Sequence, residues 1–146
     1  MAKTEDKNIF IDTNILVYLT DSISDFFQIT NENITEFYKN DINLYISNQV
    51  LREYLAVVTR INRLSKIDIQ SNLQIFKRNL FLLQDCDEVF ENLESFMYHY
   101  SITGSKIHDA NIVATMQYYG IKSILTHNTK DFEQFSDLIN IIPLIV

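Results

Sequence analysis

Short apolar runs alternate with longer amphipathic stretches along the chain, and this alternation restricts the fold more than any other feature of the sequence. The runs "IFI", "NLYIS" and "SILT" have the length and content of buried strands. "LFLL" is a shorter candidate strand, and "NIIPLIV" is a final strand or an extended tail. Strands separated by helices predict right-handed crossovers and a mostly parallel sheet covered on both faces, which is a three-layer α/β/α sandwich.

Helical patterns fill the stretches between these runs. We predict helices that begin at residue 15 and that cover "ENITEFYKN", the stretch after Ser47, 68–80, 87–100, the stretch between Gly104 and Gly120, and 129–135. Ser47 is placed to cap the helix that follows it, and Gly120 stands where a left-handed residue commonly ends a helix. The chain of 146 residues has a common single-domain length, so we expect one domain over residues 1–146.

The charge balance argues against one class of function. The formal net charge is −7, which disfavours nucleic-acid binding by general attraction to phosphates. A nucleic-acid function therefore requires that the acids surround a metal or that a basic partner supplies charge. The polar N-terminus and the absence of a long apolar run predict no signal peptide, no membrane span and a cytoplasmic protein, and the single cysteine, Cys86, fits a reducing compartment.

Polar residues interrupt the first apolar run in "NIFIDTNILVYL", residues 8–19. Asp12, Thr13 and Asn14 follow the first predicted strand directly. In open parallel sheets, binding sites form beyond the carboxyl ends of the strands. Asp12 has two interpretations from sequence: a cap of the following helix, or a ligand that faces such a site.

Two further acids lie on predicted helices. Glu53 lies at the border of the apolar face of the helix after the second strand. Asp109 precedes Ile112, Val113 and Met116 at helical spacing, so it lies on the buried side, where a carboxylate needs a partner. A solvated helix residue and a first-turn acid facing the helix dipole are the ordinary explanations for these two positions.

The third strong strand is also followed by polar residues. Thr126, Asn128 and Asp131 are explained individually by turn chemistry. Together with the earlier acids, they place polar groups at several topologically equivalent positions along the carboxyl edge of one sheet. This arrangement predicts an acidic site.

The ordered set of these residues resembles the PIN domain, in particular the VapC-type toxins of bacterial toxin–antitoxin pairs. The set comprises Asp-Thr-Asn after the first strand, Ser47 and Glu53 around the next helix, "HDA" at residues 108–110, and "THNTKDF" near the end. The resemblance extends from Asn8 to about Pro143. It implies an α/β/α sandwich and an endoribonuclease that uses Mg²⁺ or Mn²⁺ held by three or four acids.

Carried over by position, the resemblance implies that Asp12, Glu53 and Asp109 are catalytic, metal-holding carboxylates. Asn128 stands where many members of the family have an aspartate, so we assign Asp131 as the fourth carboxylate and Asn128 as a neutral ligand or water-positioning group. Whether one or two metal ions bind stays open. The residues expected to shape the site are Thr13, Asn14, Thr126 and Asn128, and we also treat His108 and His127 as shaping residues outside the catalytic set.

The resemblance also implies partners. We predict an RNA substrate, a cognate antitoxin protein and a homodimer, with a groove for a partner helix formed by residues 26–38. Arg52, Arg60 and Arg63, with Lys66, are candidate contacts to RNA phosphates, and a solvated, charge-balancing helix face is the alternative explanation for them.

Two other functions are compatible with parts of the sequence. A non-catalytic PIN-like module that binds RNA or protein is suggested by Asn128. A haloacid-dehalogenase-like phosphatase also has an Asp after its first strand, but Asn14 replaces its second Asp and no Gly-Thr follows.

Overall fold

The computed structural model describes residues 6–144. Within this range the chain forms five strands, six α-helices and one 3₁₀ helix, which we call η1. In chain order they are β1 Asn8–Ile11, α1 Thr13–Thr20, α2 Phe27–Lys39, β2 Asn43–Ser47, α3 Asn48–Ile61, α4 Lys66–Asn79, β3 Phe81–Leu83, α5 Asp87–His99, α6 Lys106–Tyr119, β4 Ser123–Thr126, η1 Thr129–Phe135 and β5 Asn140–Pro143.

The strands form one parallel sheet in the order β3-β2-β1-β4-β5. β1 is central and pairs with β2 on one side and with β4 on the other, with Phe10 opposite both Tyr45 and Ile124. The chain therefore builds the sheet outward from β1 in one direction and then returns to build it in the other. The crevice of a parallel sheet opens at such a reversal, beyond the carboxyl ends of β1 and β4.

The core explains why the central strands are continuously apolar. Ile9, Phe10 and Ile11 have no exposed surface, and all four residues of β4 are buried. One group of helices packs through α1 against α2 and α3, and another packs through α5 against α6. Because both faces of a parallel sheet are covered, its strands show no alternation of polar and apolar residues. The predicted α/β/α sandwich with a parallel sheet is confirmed.

The predicted boundaries differ from the observed ones by a few residues. The first helix begins at Thr13 because Asp12 caps it, and the helix predicted over 68–80 begins at Lys66 after a cap by Ser65. The Ser47 hydroxyl accepts a hydrogen bond from the Val50 N–H, and Gly120 ends α6 with a φ of 71°, as predicted. Of the helices between residues 6 and 144, none is long and apolar enough to cross a membrane.

Candidate active site

A cavity of about 470 Å³ lies beyond the carboxyl ends of β1 and β4. The four carboxylates predicted from sequence all line it, namely Asp12, Glu53, Asp109 and Asp131. They come from four separate places in the chain: the end of β1, the middle of α3, the first turn of α6 and the first turn of η1. The fold therefore brings together acids that lie up to 119 residues apart.

Asp12 is both a helix cap and a residue of the cavity. Its Oδ1 accepts a hydrogen bond from the Thr13 N–H at 2.8 Å, which begins α1. Its Oδ2 accepts hydrogen bonds from the Thr126 hydroxyl at 2.7 Å and the Asn14 amide at 3.3 Å. Burial raises the pKa of Asp12 above 3.8, the bonds from Thr126 and Thr13 oppose this rise, and the charges of Glu53 and Asp131 add to it. The predicted cap is therefore observed, and the same carboxylate lines the cavity, whereas its role as a ligand stays a prediction.

Glu53 is held at both of its carboxylate oxygens. The Thr13 hydroxyl donates to Oε2 at 2.8 Å, and the Gln49 side-chain amide donates to Oε1 at 2.9 Å. Gln49 also donates to the His108 carbonyl at 2.8 Å and accepts from the Asn111 amide at 2.7 Å. Gln49 and Asn111 were not identified from sequence. One signal was available for Gln49, which precedes Glu53 by one helical turn.

The carboxyl group of Asp109 has a raised pKa, like that of Asp12. Burial, followed by the charges of Asp131, Asp12 and Glu53, raises the pKa of Asp109 from 3.8 to about 7, while Lys106 lowers it. The other three cavity carboxylates thus all act on Asp109, which means that the four form one electrostatic cluster. Asp131 itself is exposed.

The loop after β4 is joined to the loop after β1. The Thr126 hydroxyl, which donates to Asp12, accepts hydrogen bonds from the Asn128 N–H at 3.1 Å and the Asn14 amide at 3.4 Å. The Asn14 side-chain oxygen in turn accepts from the His127 N–H at 3.2 Å. These bonds hold the two strand ends against each other and support the loop that carries Asn128 along one side of the cavity.

The His127 ring lies against aromatic side chains beside the cavity. Its Nδ1 lies 2.7 Å from the Tyr18 hydroxyl, and its ring centroid is 4.3 Å from that of Phe26. Tyr18 lines the cavity together with the acids. His127 therefore packs behind a wall of the cavity, which agrees with a shaping role.

The three candidate RNA-binding arginines are less close to the acids than the sequence suggested. In the described part of the chain, no arginine lines the acidic cavity. Arg52 lines a separate polar cavity of about 60 Å³, and Arg63 forms an ion pair with the buried Asp21. Arg60 is exposed in the last turn of α3. The assignment of these residues as phosphate contacts stays a prediction.

The donor set suits a hard divalent cation in its chemistry. Four carboxylates and the Asn128 amide line one cavity, and oxygen ligands of this kind are those that Mg²⁺ and Mn²⁺ prefer. Between residues 6 and 144, no three His, Cys, Asp or Glu side chains converge closely enough to hold an ion as they stand. Ion binding therefore requires the carboxylates to move closer together. Asp12 Oδ1 and both oxygens of Glu53 accept one hydrogen bond each, which leaves each of them a lone pair for an ion.

A model of the PIN domain matches residues 9–138, and the chain belongs to the PIN domain family. This assignment excludes the phosphatase alternative. Among curated protein sequences, none matches the chain.

Solved structures of toxin–antitoxin proteins share the fold. The chain is similar to VapC20 of Mycobacterium tuberculosis, a sarcin–ricin loop cleaving toxin, with a TM-score of 0.68 and 14% identity over 92% of this chain and 99% of that one. It is similar to VapBC2 of Rickettsia felis, solved bound to a promoter DNA fragment, with a TM-score of 0.68 and 23% identity over 91% and 96%. For VapBC-1 of nontypeable Haemophilus influenzae, the TM-score is 0.65 with 17% identity over 94% and 98%.

Proposed function

We propose that this PIN-domain protein is a metal-dependent endoribonuclease and the toxin of a toxin–antitoxin pair. The single observation that carries the proposal is the cluster of four carboxylates around one cavity at the reversal point of the sheet. Membership of the PIN family and the shared fold with VapC20, a sarcin–ricin loop cleaving toxin, support it. The whole chain, residues 1–146, is proposed to be one such domain.

In this proposal Asp12, Glu53, Asp109 and Asp131 hold Mg²⁺ or Mn²⁺. A bound ion of this kind supplies positive charge against the RNA phosphate and lowers the pKa of an attacking water. Asp12 is oriented by the Thr13 N–H and the Thr126 hydroxyl. Thr13 thus contacts two of the proposed ligands, because its backbone N–H reaches Asp12 and its hydroxyl reaches Glu53.

The charge of the cluster explains why the proposed reaction needs the ion. Two carboxylates about 4 Å apart repel each other by about 4 kcal/mol at an effective dielectric constant of 20. The same negative field repels RNA phosphates, and the net charge of −7 adds to it. A divalent cation reduces both penalties by adding two positive charges at the cluster. Arg60 is the best-placed proposed phosphate contact, because Arg63 would have to leave Asp21 and Arg52 lines another cavity.

The proposed partner is a cognate antitoxin, and the toxin is proposed to form a homodimer in the cytoplasm. A cavity of about 420 Å³, lined mostly by apolar side chains of α1, α2 and α4, lies apart from the carboxylates. Four residues of the predicted groove over 26–38 line this cavity, namely Phe27, Asn31, Ile34 and Tyr38. This lining supports the proposal that the apolar face of a partner helix binds there. VapBC complexes share the fold, which supports such a partner.

The test is cleavage of a panel of structured and single-stranded RNAs by the purified protein in Mg²⁺, Mn²⁺ or EDTA. The proposal predicts cuts that require the metal and that disappear in Asp12→Asn and Asp109→Asn. Asp25→Asn, at an exposed position between α1 and α2, is the matched control and should cleave like the wild type.

A folded wild type that cleaves none of these RNAs in either metal, yet still binds them, would contradict the proposal. That result would favour the non-catalytic binding module, for which Asn128 and the unconverged carboxylates are the specific observations.

A further inference from the structure

We propose that Gln49 is a positioning residue that fixes the Glu53 carboxylate relative to the helix that carries Asp109. The inference rests on the proposed function of the cavity as a metal-dependent nuclease site. It adds a residue that does not line the cavity and that carries no charge.

The contacts of Gln49 use its whole hydrogen-bonding capacity as a donor. One amide hydrogen goes to Glu53 Oε1 at 2.9 Å and the other goes to the His108 carbonyl at 2.8 Å. Its own oxygen accepts a hydrogen bond from the Asn111 amide at 2.7 Å. Gln49 is only 9% exposed, so water cannot easily replace these partners.

The orientation of the amide follows from chemistry. The carboxylate of Glu53 and the carbonyl of His108 accept hydrogen bonds and have none to donate. The side-chain nitrogen of Gln49 must therefore face both of them. The oxygen of Gln49 must then face Asn111, which presents its amide nitrogen. A flipped amide would place its oxygen against two acceptors. The network therefore specifies one arrangement.

This arrangement connects two of the proposed ligands through protein atoms. Gln49 lies on α3 one turn before Glu53, and the His108 carbonyl lies in the first turn of α6 next to Asp109. Gln49 thus fixes the separation of α3 from the start of α6, while the Thr13 hydroxyl holds the other oxygen of Glu53. Partners of metal ligands that orient them in this way typically change metal affinity by 10- to 100-fold when removed.

The test measures Mn²⁺ affinity of the full chain by isothermal titration calorimetry. In Gln49→Met, which keeps the length and loses the amide, the Kd for Mn²⁺ should rise by about 10- to 100-fold. Asn111→Ala removes a partner of Gln49 and leaves Gln49 in place, so it should raise the Kd for Mn²⁺ by a smaller factor than Gln49→Met. The double variant should have the same Kd as Gln49→Met, because both substitutions act through one network. Gln74→Met, at an exposed glutamine of α4, is the matched control and should bind like the wild type.

A second measurement separates positioning from general destabilisation. RNA cleavage by Gln49→Met should reach most of the maximal rate of the wild type when the Mn²⁺ concentration is raised by the same factor as the Kd. A purely structural role would lower the maximal rate with the folded fraction and leave the Mn²⁺ midpoint unchanged, which would overturn the inference. Circular dichroism in EDTA gives the folded fraction, and Asn111→Ala carries the test if Gln49→Met does not fold.

The outcomes distinguish the inference from the function on which it rests. A wild type that binds Mn²⁺ and cleaves RNA, with Gln49→Met and Asn111→Ala unchanged in Kd, overturns the role of Gln49 alone. A folded wild type that neither binds Mn²⁺ nor cleaves RNA overturns both proposals.

Discussion

Asp109→Asn should stabilise the metal-free protein while abolishing its proposed activity. Burial and three neighbouring carboxylates raise the pKa of Asp109 from 3.8 to about 7, so the ionised form is disfavoured in the folded state. A rise of this size corresponds to about 4 kcal/mol for a fully enclosed group at neutral pH. Because Asp109 is only partly buried, solvent screening reduces the cost to about 1–2 kcal/mol. Asparagine keeps the shape and removes the charge.

The assay is thermal unfolding in EDTA followed by circular dichroism. For a domain of this size, 1–2 kcal/mol corresponds to a rise in Tm of about 3–8 °C for Asp109→Asn at pH 8. Asp25→Asn, an exposed carboxylate outside the cavity, should leave the Tm unchanged within about 1 °C.

The stability difference between Asp109→Asn and the wild type should grow as the pH rises. Below pH 3.8 the Asp109 carboxyl is protonated in both folded and unfolded states, so it costs no stability. As the pH rises from 3.8 to about 7, the unfolded state loses the proton while the folded state retains it, and the wild type loses stability relative to Asp109→Asn. The gap at pH 5 should be about a third of the gap at pH 8. A variant that melts below the wild type at pH 8, or a gap that shrinks as the pH rises, would refute the reasoning.

Three further predictions concern neighbouring groups. Saturating Mn²⁺ should raise the wild-type Tm in a fluorescence melt, and Asp12→Asn should lose most of that rise; an equal rise in both would remove Asp12 from the ligand set. Thr126→Val deletes the buried hydrogen bond to the Asp12 carboxylate, so urea unfolding should show a loss of about 2 kcal/mol, whereas no loss would mean that the bond contributes nothing. Arg60→Ala, measured in an Asp12→Asn background that cannot cleave, should reduce the salt slope of RNA binding by about 1, and Arg78→Ala on α4 should not; equal slopes would leave Arg60 as a solvated residue.

Local patterns in the sequence predicted the sheet, and they marked Asp12 and Asp109 as candidate site residues, because both inferences depend on short-range spacing. An apolar run followed by Asp12 indicates a strand end, and the hydrophobic spacing after Asp109 places that acid on a buried face. Asp12 also shows how one carboxylate serves two purposes, since one oxygen caps α1 and the other binds Thr126. The carboxyl ends of parallel strands meet at one edge, which explains why Asp12 and the residues after β4 lie together. Glu53 and Asp131 were assigned to the site from the resemblance to the PIN domain, because a solvated helix face and turn chemistry explain them individually.

Contacts across elements could not be predicted in the same way. Gln49 reaches Asn111 across 62 residues, and Arg63 pairs with Asp21 across 42, so both depend on how the helices pack. Arg52 directly precedes Glu53 in sequence but lies about 100° around α3 from it, and it lines a different cavity. Helix periodicity gives the angle between two residues but not which partner a neighbouring helix offers.

The most direct measurement is anomalous diffraction from crystals of the wild type grown with Mn²⁺. We predict a peak in the cavity at about 2.0–2.2 Å from carboxylate oxygens of Asp12 and Asp109, with Glu53 or Asp131 turned toward it. Crystals of Asp12→Asn grown under the same conditions should lack the peak. Well-diffracting wild-type crystals at saturating Mn²⁺ with no anomalous density among these four carboxylates would contradict a metal-dependent nuclease site.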